Sequence, residues 1–204
     1  MENEIRVHNP GYQVSDYKSK IGKIVRQVTL SRMHQYTDNE SFKLVEFDEE
    51  TPQGYVFANS MSVIVIAGKS LRIILKAHFN HKDSKPIARQ LFGTEDIDDM
   101  KSFDVMKEYC NLAAGFIKKI CIEQDIPVGI SLPIVTLGFN EVFSSPSDLE
   151  QKTVFEDAWC LKNEQSNIVC SCLVDVFESE TVDNLMEYEL TEAEEDNDSD
   201  YEFL

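Results

Sequence analysis

Two runs of apolar residues, YVFANSMSVIVIAG and SLRIILKAHF, are separated only by a tight turn placed at Gly68-Lys69. Runs of this kind read as strands, and a connection that short can only join antiparallel neighbours. A second pair, TVFEDAWCLK and NIVCSCLVDVF, closes around Asn163-Glu164-Gln165-Ser166. FKLVEF at 42–47 alternates cleanly as a further strand, and ETPQG after it turns the chain. ISLPIVTLGFNEVF is extended too, with Pro133 marking an edge or a bulge because it has no N–H to give to a ladder. The chain is thereby committed to a largely antiparallel sheet.

Helical patterns fill the remaining space. Ser15 and Asp16 can cap a helix running to about Tyr36, with Ile21, Ile24, Val25 and Val28 on one side. KIVRQVTL within it also alternates as a strand would, so both assignments stand at this level. DSKPIARQLFG predicts a short helix with Ser84 as its cap, Pro86 in the first turn and Gly93 as its stop. After an acidic linker, TEDIDD, a long helix is expected from about Ser102 to Gln124, broken by Pro127 and Gly129. Helix, strands, two helices and strands again predict an α+β fold, a largely antiparallel sheet with long helices packed on one face.

Charge divides the chain. Its net charge is −18, yet there is no Lys or Arg after Lys162, and 13 acidic residues lie between Asp175 and Glu202. The preceding part carries about −5, an ordinary value. We therefore expect a loose N-terminal arm over 1–14, one folded domain over 15–179 and an acidic, largely disordered tail over 180–204, with some helix around TVDNLMEYEL. The DSDYEFL end, aromatics among acids, reads either as a docking peptide or as a solubilising terminus. Neither part has the basic stripe that a phosphate backbone requires, which argues against nucleic-acid binding. No run approaches the ~18 apolar residues of a membrane span. The polar start MENEIRVHNPGYQ has no apolar leader core, and five cysteines, an odd number, fit buried thiols in a reducing compartment. A soluble, cytoplasmic protein is expected.

On the long helix, a period of about 100° per residue gathers Phe103, Met106, Cys110, Ala113, Ala114, Ile117, Ile120 and Cys121 on one face. Asp104, Glu108, Asn111, Gly115 and Lys118 fall on the opposite face. Glu108 and Asn111 are three apart and so are neighbours in space. Gly115, which costs a helix about 1 kcal/mol relative to Ala, leaves a gap on the same stripe. An acid, an amide and a gap on a rigid helix can dock a partner and place a polar group inside it. A plain solvated face, with Gly115 easing helix packing, is the alternative.

Glu108-Tyr109-Cys110-Asn111 is an E-x-x-N motif, followed by Ala114-Gly115 and later by Ser131-Leu132-Pro133. Upstream stand the hairpin ending LRIILKAHF and the short helix ending RQLFG, and the closing hairpin follows downstream. Over roughly residues 17–178 this arrangement resembles the CheX/CheC family of chemotaxis phosphatases, and the single E-x-x-N resembles CheX more than CheC. Many CheX-like members carry Asn after the glycine, where this chain has Phe116. The resemblance implies a hydrolase of two-component signalling, with the phosphorylated, CheY-like receiver domain of a response regulator as its substrate. It implies that Glu108 pairs with the regulator's active-site lysine, and that Asn111 positions the water that attacks the aspartyl phosphate. Asp104, Gly115 and Lys118 would share the docking surface. The chain would need no cofactor or metal of its own, since the Mg2+ belongs to the receiver domain. The family also implies an alternative, a non-catalytic adaptor that docks a receiver domain or partner subunit without turnover, and an exposed edge strand would allow a homodimer.

Other motifs carry less. AGKS at 67–70 lacks the first P-loop glycine, because position 63 is Val63, and a strand follows it. His78 and His81 have a metal-pair spacing without acid or thiol company, so a surface role is expected. Cys170 and Cys172 face the same way on a strand and are expected in the core. No Ser/His/Asp or Cys/His grouping for nucleophilic catalysis stands out.

Overall fold

A computed structural model describes residues 14–47, 58–137 and 153–189. The chain opens with α1 (Val14–Tyr17), a π-helical turn (Lys18–Gly22) and α2 (Lys23–Thr37). Then come β1 (Lys43–Glu46), β2 (Ser60–Gly68), β3 (Leu71–Phe79), α3 (His81–Phe92) and α4 (Asp99–Glu123). β4 (Val128–Ile130), β5 (Ile134–Leu137), β6 (Thr153–Lys162), β7 (Asn167–Val176) and α5 (Ser179–Glu187) complete it. The expected arm, the ETPQG turn, GFNEVF and the chain from 190 onward lie outside the described residues.

The sheet is antiparallel and seven-stranded, ordered β1-β6-β7-β3-β2-β4, with β5 also on β2. The β2–β3 register pairs Ser60 with Phe79 and Ala67 with Arg72. This moves the turn one residue beyond the expected place, to Lys69 and Ser70. Gly68 ends β2 instead, because a Cβ there would collide with the Pro127 carbonyl oxygen. β4 and β5 act as one interrupted edge strand along β2. Across the break the Ser131 N–H donates to the Val65 carbonyl at 2.8 Å, and the Ser131 hydroxyl accepts from the Val65 N–H at 3.0 Å. Pro133 sits where no ladder N–H is needed.

Alternation sends one side chain in two to the helix layer. Ile64 and Ile66, Leu71, Ile73 and Leu75, Trp159 and Leu161, and Cys170, Cys172 and Val174 are all buried there. α2 and α4 cover this face. KIVRQVTL is helical: Val25, Val28 and Thr29 are buried against the core, while Arg26 reaches Asp157 of β6 at 2.7 Å. Thr29 joins three elements, its hydroxyl accepting from Trp159 Nε1 and its carbonyl from the Tyr109 hydroxyl, both at 3.0 Å.

Two helix starts differ from expectation. α3 begins at His81, so Ser84 lies in its first turn, and its hydroxyl pairs with Ser102 of α4 instead of capping. Gly93 does end α3, in the left-handed region at φ 63°. α4 begins at Asp99, within the acidic linker, because the Asp98 carboxylate accepts the Lys101 N–H at 2.8 Å. Beyond Ser179 the acidic composition hides a packed helix: Val182, Leu185 and Met186 of α5 are buried, and Asn184 donates to the Gln124 carbonyl at 3.2 Å.

Candidate functional site

α4 is gripped on three sides. Met106, Cys110, Ala113, Ala114, Ile117, Ile120 and Cys121 are buried, as the helical period predicts. Val105, Tyr109 and Phe116 are buried as well, because α2 and α3 flank α4 and widen its covered arc. Phe103 is half-buried, its ring edge-on to Phe79 at 6.2 Å. The uncovered arc carries the stripe. Asp104 is exposed, and Glu108, Asn111, Gly115 and Lys118 are half-buried. From Glu108 to Gly115 the helix rises about 10 Å, so acid, amide and gap fit within one small contact area.

Asp104 pairs with Lys107 of its own helix at 2.5 Å. Among the described residues Asn111 makes no hydrogen bond, and neither Glu108 nor Lys118 has an ion pair. The space at Gly115 separates the two explanations of the stripe. A Cβ built there meets nothing within 4 Å. Packing against the described residues therefore gives no reason for a glycine, and its helix cost is not offset by any of them.

Position 116 does not belong to the stripe. Phe116 turns toward α2, where the Arg32 guanidinium lies 4.1 Å from its ring centre and Lys119 Nζ 5.4 Å. Its side chain braces α4 from the side. The period alone places it off the polar arc; the cation from α2 is a tertiary contact.

Tyr36, in the last turn of α2, was read from sequence only as a helix end. It is half-buried, and burial, followed by the nearby Glu108 and Asp104 carboxylates, pushes its phenol pKa up. The phenol is therefore a neutral hydrogen-bond donor beside the acidic end of the stripe. Its spacing from Arg32, i to i+4, is the one sequence signal that it shares the face turned to α4.

The remaining candidates are structural. His78 is buried, contrary to the surface role expected, with Nε2 3.0 Å from the Ser171 hydroxyl. The outward side of a strand became covered by its neighbours, which local spacing does not show. His81 Nδ1 lies 3.4 Å from an Asp99 carboxylate oxygen. No group of three or more metal-ligating side chains occurs among the described residues. All five cysteines are buried and free, and burial raises the thiols of Cys110 and Cys121 to about 12. AGKS spans the end of β2 and the two-residue turn into β3, and no described helix is long and apolar enough to cross a membrane.

No protein-family model and no curated protein sequence matches the chain. Solved structures do match in fold. CheX from Vibrio vulnificus superposes with a TM-score of 0.57 at 12% identity, over 74% of this chain and 96% of that one. The CheX–CheY–BeF3–Mg2+ complex from Borrelia burgdorferi gives a TM-score of 0.57 at 13% identity, over 76% and 97%. FliY from Thermotoga maritima gives 0.52 at 16% identity, over 89% and 97%. The chain has the CheC/CheX-like α+β fold that its element order predicts.

Proposed function

We propose that this chain is a CheX-like phosphatase that accelerates hydrolysis of the aspartyl phosphate on a response-regulator receiver domain. The observation that carries the reading is the Glu108/Asn111/Gly115 stripe, left without a hydrogen bond or ion pair among the described residues, with a glycine that their packing does not require. The likeness to a CheX solved with CheY, BeF3 and Mg2+ supports it. Gly115 lets the partner's surface approach. Glu108 pairs with the receiver's lysine, and the Asn111 carboxamide oxygen accepts a hydrogen bond from the attacking water and so aims its lone pair at phosphorus, the water's protons staying with the phosphate product. Water adds, the aspartate oxygen leaves, and the products are carboxylate and inorganic phosphate. Phosphoryl transfer needs mainly positioning and charge stabilisation, which a fixed amide can supply. The neutral amide brings no further negative charge against the phosphoryl group. The Mg2+ is the receiver's, and on this reading the protein works in the cytoplasm.

The test is turnover. Substoichiometric full-length protein added to a phosphorylated receiver domain speeds its dephosphorylation, and Asn111→Ala removes the acceleration while thermal unfolding is unchanged. Decay that speeds only at stoichiometric amounts, or binding indifferent to Asn111, would instead establish the adaptor alternative, which the fold likeness to FliY keeps in view. The β4–β5 edge, with Ile134 66% and Leu137 69% exposed, offers the surface for a homodimer by sheet extension.

A further inference from the structure

The end of α2 is held firmly. His34 Nε2 donates to the Phe42 carbonyl at 2.8 Å, and the Thr37 hydroxyl donates to the Met33 carbonyl at 2.7 Å. The Thr37 carbonyl in turn accepts from the Gln90 side chain of α3. Tyr36 lies between these anchored residues, its ring packed against the core, in a helix that packs on α4. Its hydroxyl makes no hydrogen bond among the described residues and is not among their buried, unpartnered polar atoms, so it reaches solvent. The Tyr109 hydroxyl, by contrast, is buried and spent on the Thr29 carbonyl. A phenol fixed in place, its hydroxyl accessible and unbonded among the described residues and within the electrostatic reach of Asp104 and Glu108, has no structural use for that donor.

We infer that Tyr36 is a further recognition residue of the α4 docking face, donating its hydroxyl hydrogen bond to an oxygen acceptor on the docked receiver domain. This rests on the docking reading above. It makes the surface a two-helix one: Glu108 takes a cation from the partner, Asn111 reaches the phosphoryl group, and Tyr36 fixes the angle of approach from α2. A hydrogen bond made equally to the bound state and the transition state changes affinity and leaves the chemical step alone.

The experiment measures binding of the full chain to a receiver domain loaded with BeF3 and Mg2+, together with turnover of the phosphorylated domain. For Tyr36→Phe we expect Kd and KM to rise about three- to tenfold with kcat and the unfolding midpoint unchanged, since the ring stays. Tyr109→Phe should lower the unfolding midpoint and leave Kd unchanged. A Kd for Tyr36→Phe within twofold of wild type, or a loss confined to kcat, overturns the inference while wild-type binding keeps the docking reading alive. If the wild-type chain binds no receiver domain, the docking reading falls and this inference falls with it.

Discussion

The outward stripe of α4 and the β4–β5 edge both face away from the core, yet they present opposite chemistry. The stripe shows an acid, an amide, a gap and a lysine, on a helix whose backbone groups are already bonded along the axis. The edge, VGISLPIVTL over 128–137, holds no charged residue; Leu132 is 84% exposed, and the strand's outer side has no partner among the described residues. A helix face can offer a partner side chains only, which suits an encounter that forms and dissolves. A strand edge also offers a row of backbone donors and acceptors, which suits a lasting extension of the sheet. On the proposed reading, one surface serves transient recognition and the other suits lasting pairing.

Substitutions can separate the two. Asn111→Ala should cost the most, a loss of turnover on the order of 100-fold or more, with the oligomeric state unchanged by light scattering. Glu108→Lys reverses a charge at the contact and should weaken binding to a BeF3-loaded receiver domain about tenfold, roughly 1.4 kcal/mol. Gly115→Ala should act in two directions at once. Its methyl group has open space in the free chain, so the fold gains about 0.5–1 kcal/mol in chemical denaturation, while turnover falls because the gap has been filled. A variant that is more stable and equally active would show that the gap is not used. On the edge, Ile134→Lys should abolish any dimer seen by light scattering and leave turnover by the stripe within about twofold; a loss of turnover would show that the surfaces are coupled. The smallest change is expected in the core. Burial holds the Cys110 and Cys121 thiols at about 12, so alkylation at pH 8 should be negligible in the native protein and fast after unfolding.

The parts of this comparison were not equally legible in the sequence. Both hairpins, the long helix and its polar stripe follow from side-chain period, and Pro133 marks the interruption of the edge strand. The start of α4 was obscured because TEDIDD has the composition of a linker, although Asp98 is a cap. α5 was expected only as some helix around TVDNLMEYEL; that Val182, Leu185 and Met186 are buried was hidden by the surrounding acids. KIVRQVTL satisfied two periods at once, and only its neighbours decide: Thr29 meets Trp159 and Tyr109 from β6 and α4. Tyr36 gave little local sign, because the carboxylates that define its role lie about seventy residues away in the chain.

The sequence by itself determined which segments are strands and helices and which residues share a face, since period is a property of one segment read along its own length. The tertiary structure decided which faces are covered. Among the described residues it left Asn111 without a hydrogen bond and the space at Gly115 open, turned Phe116 into the α2 contact, buried His78 and brought Tyr36 within the electrostatic reach of Glu108. Exposure depends on what other segments lie across a surface, and no local repeat records that.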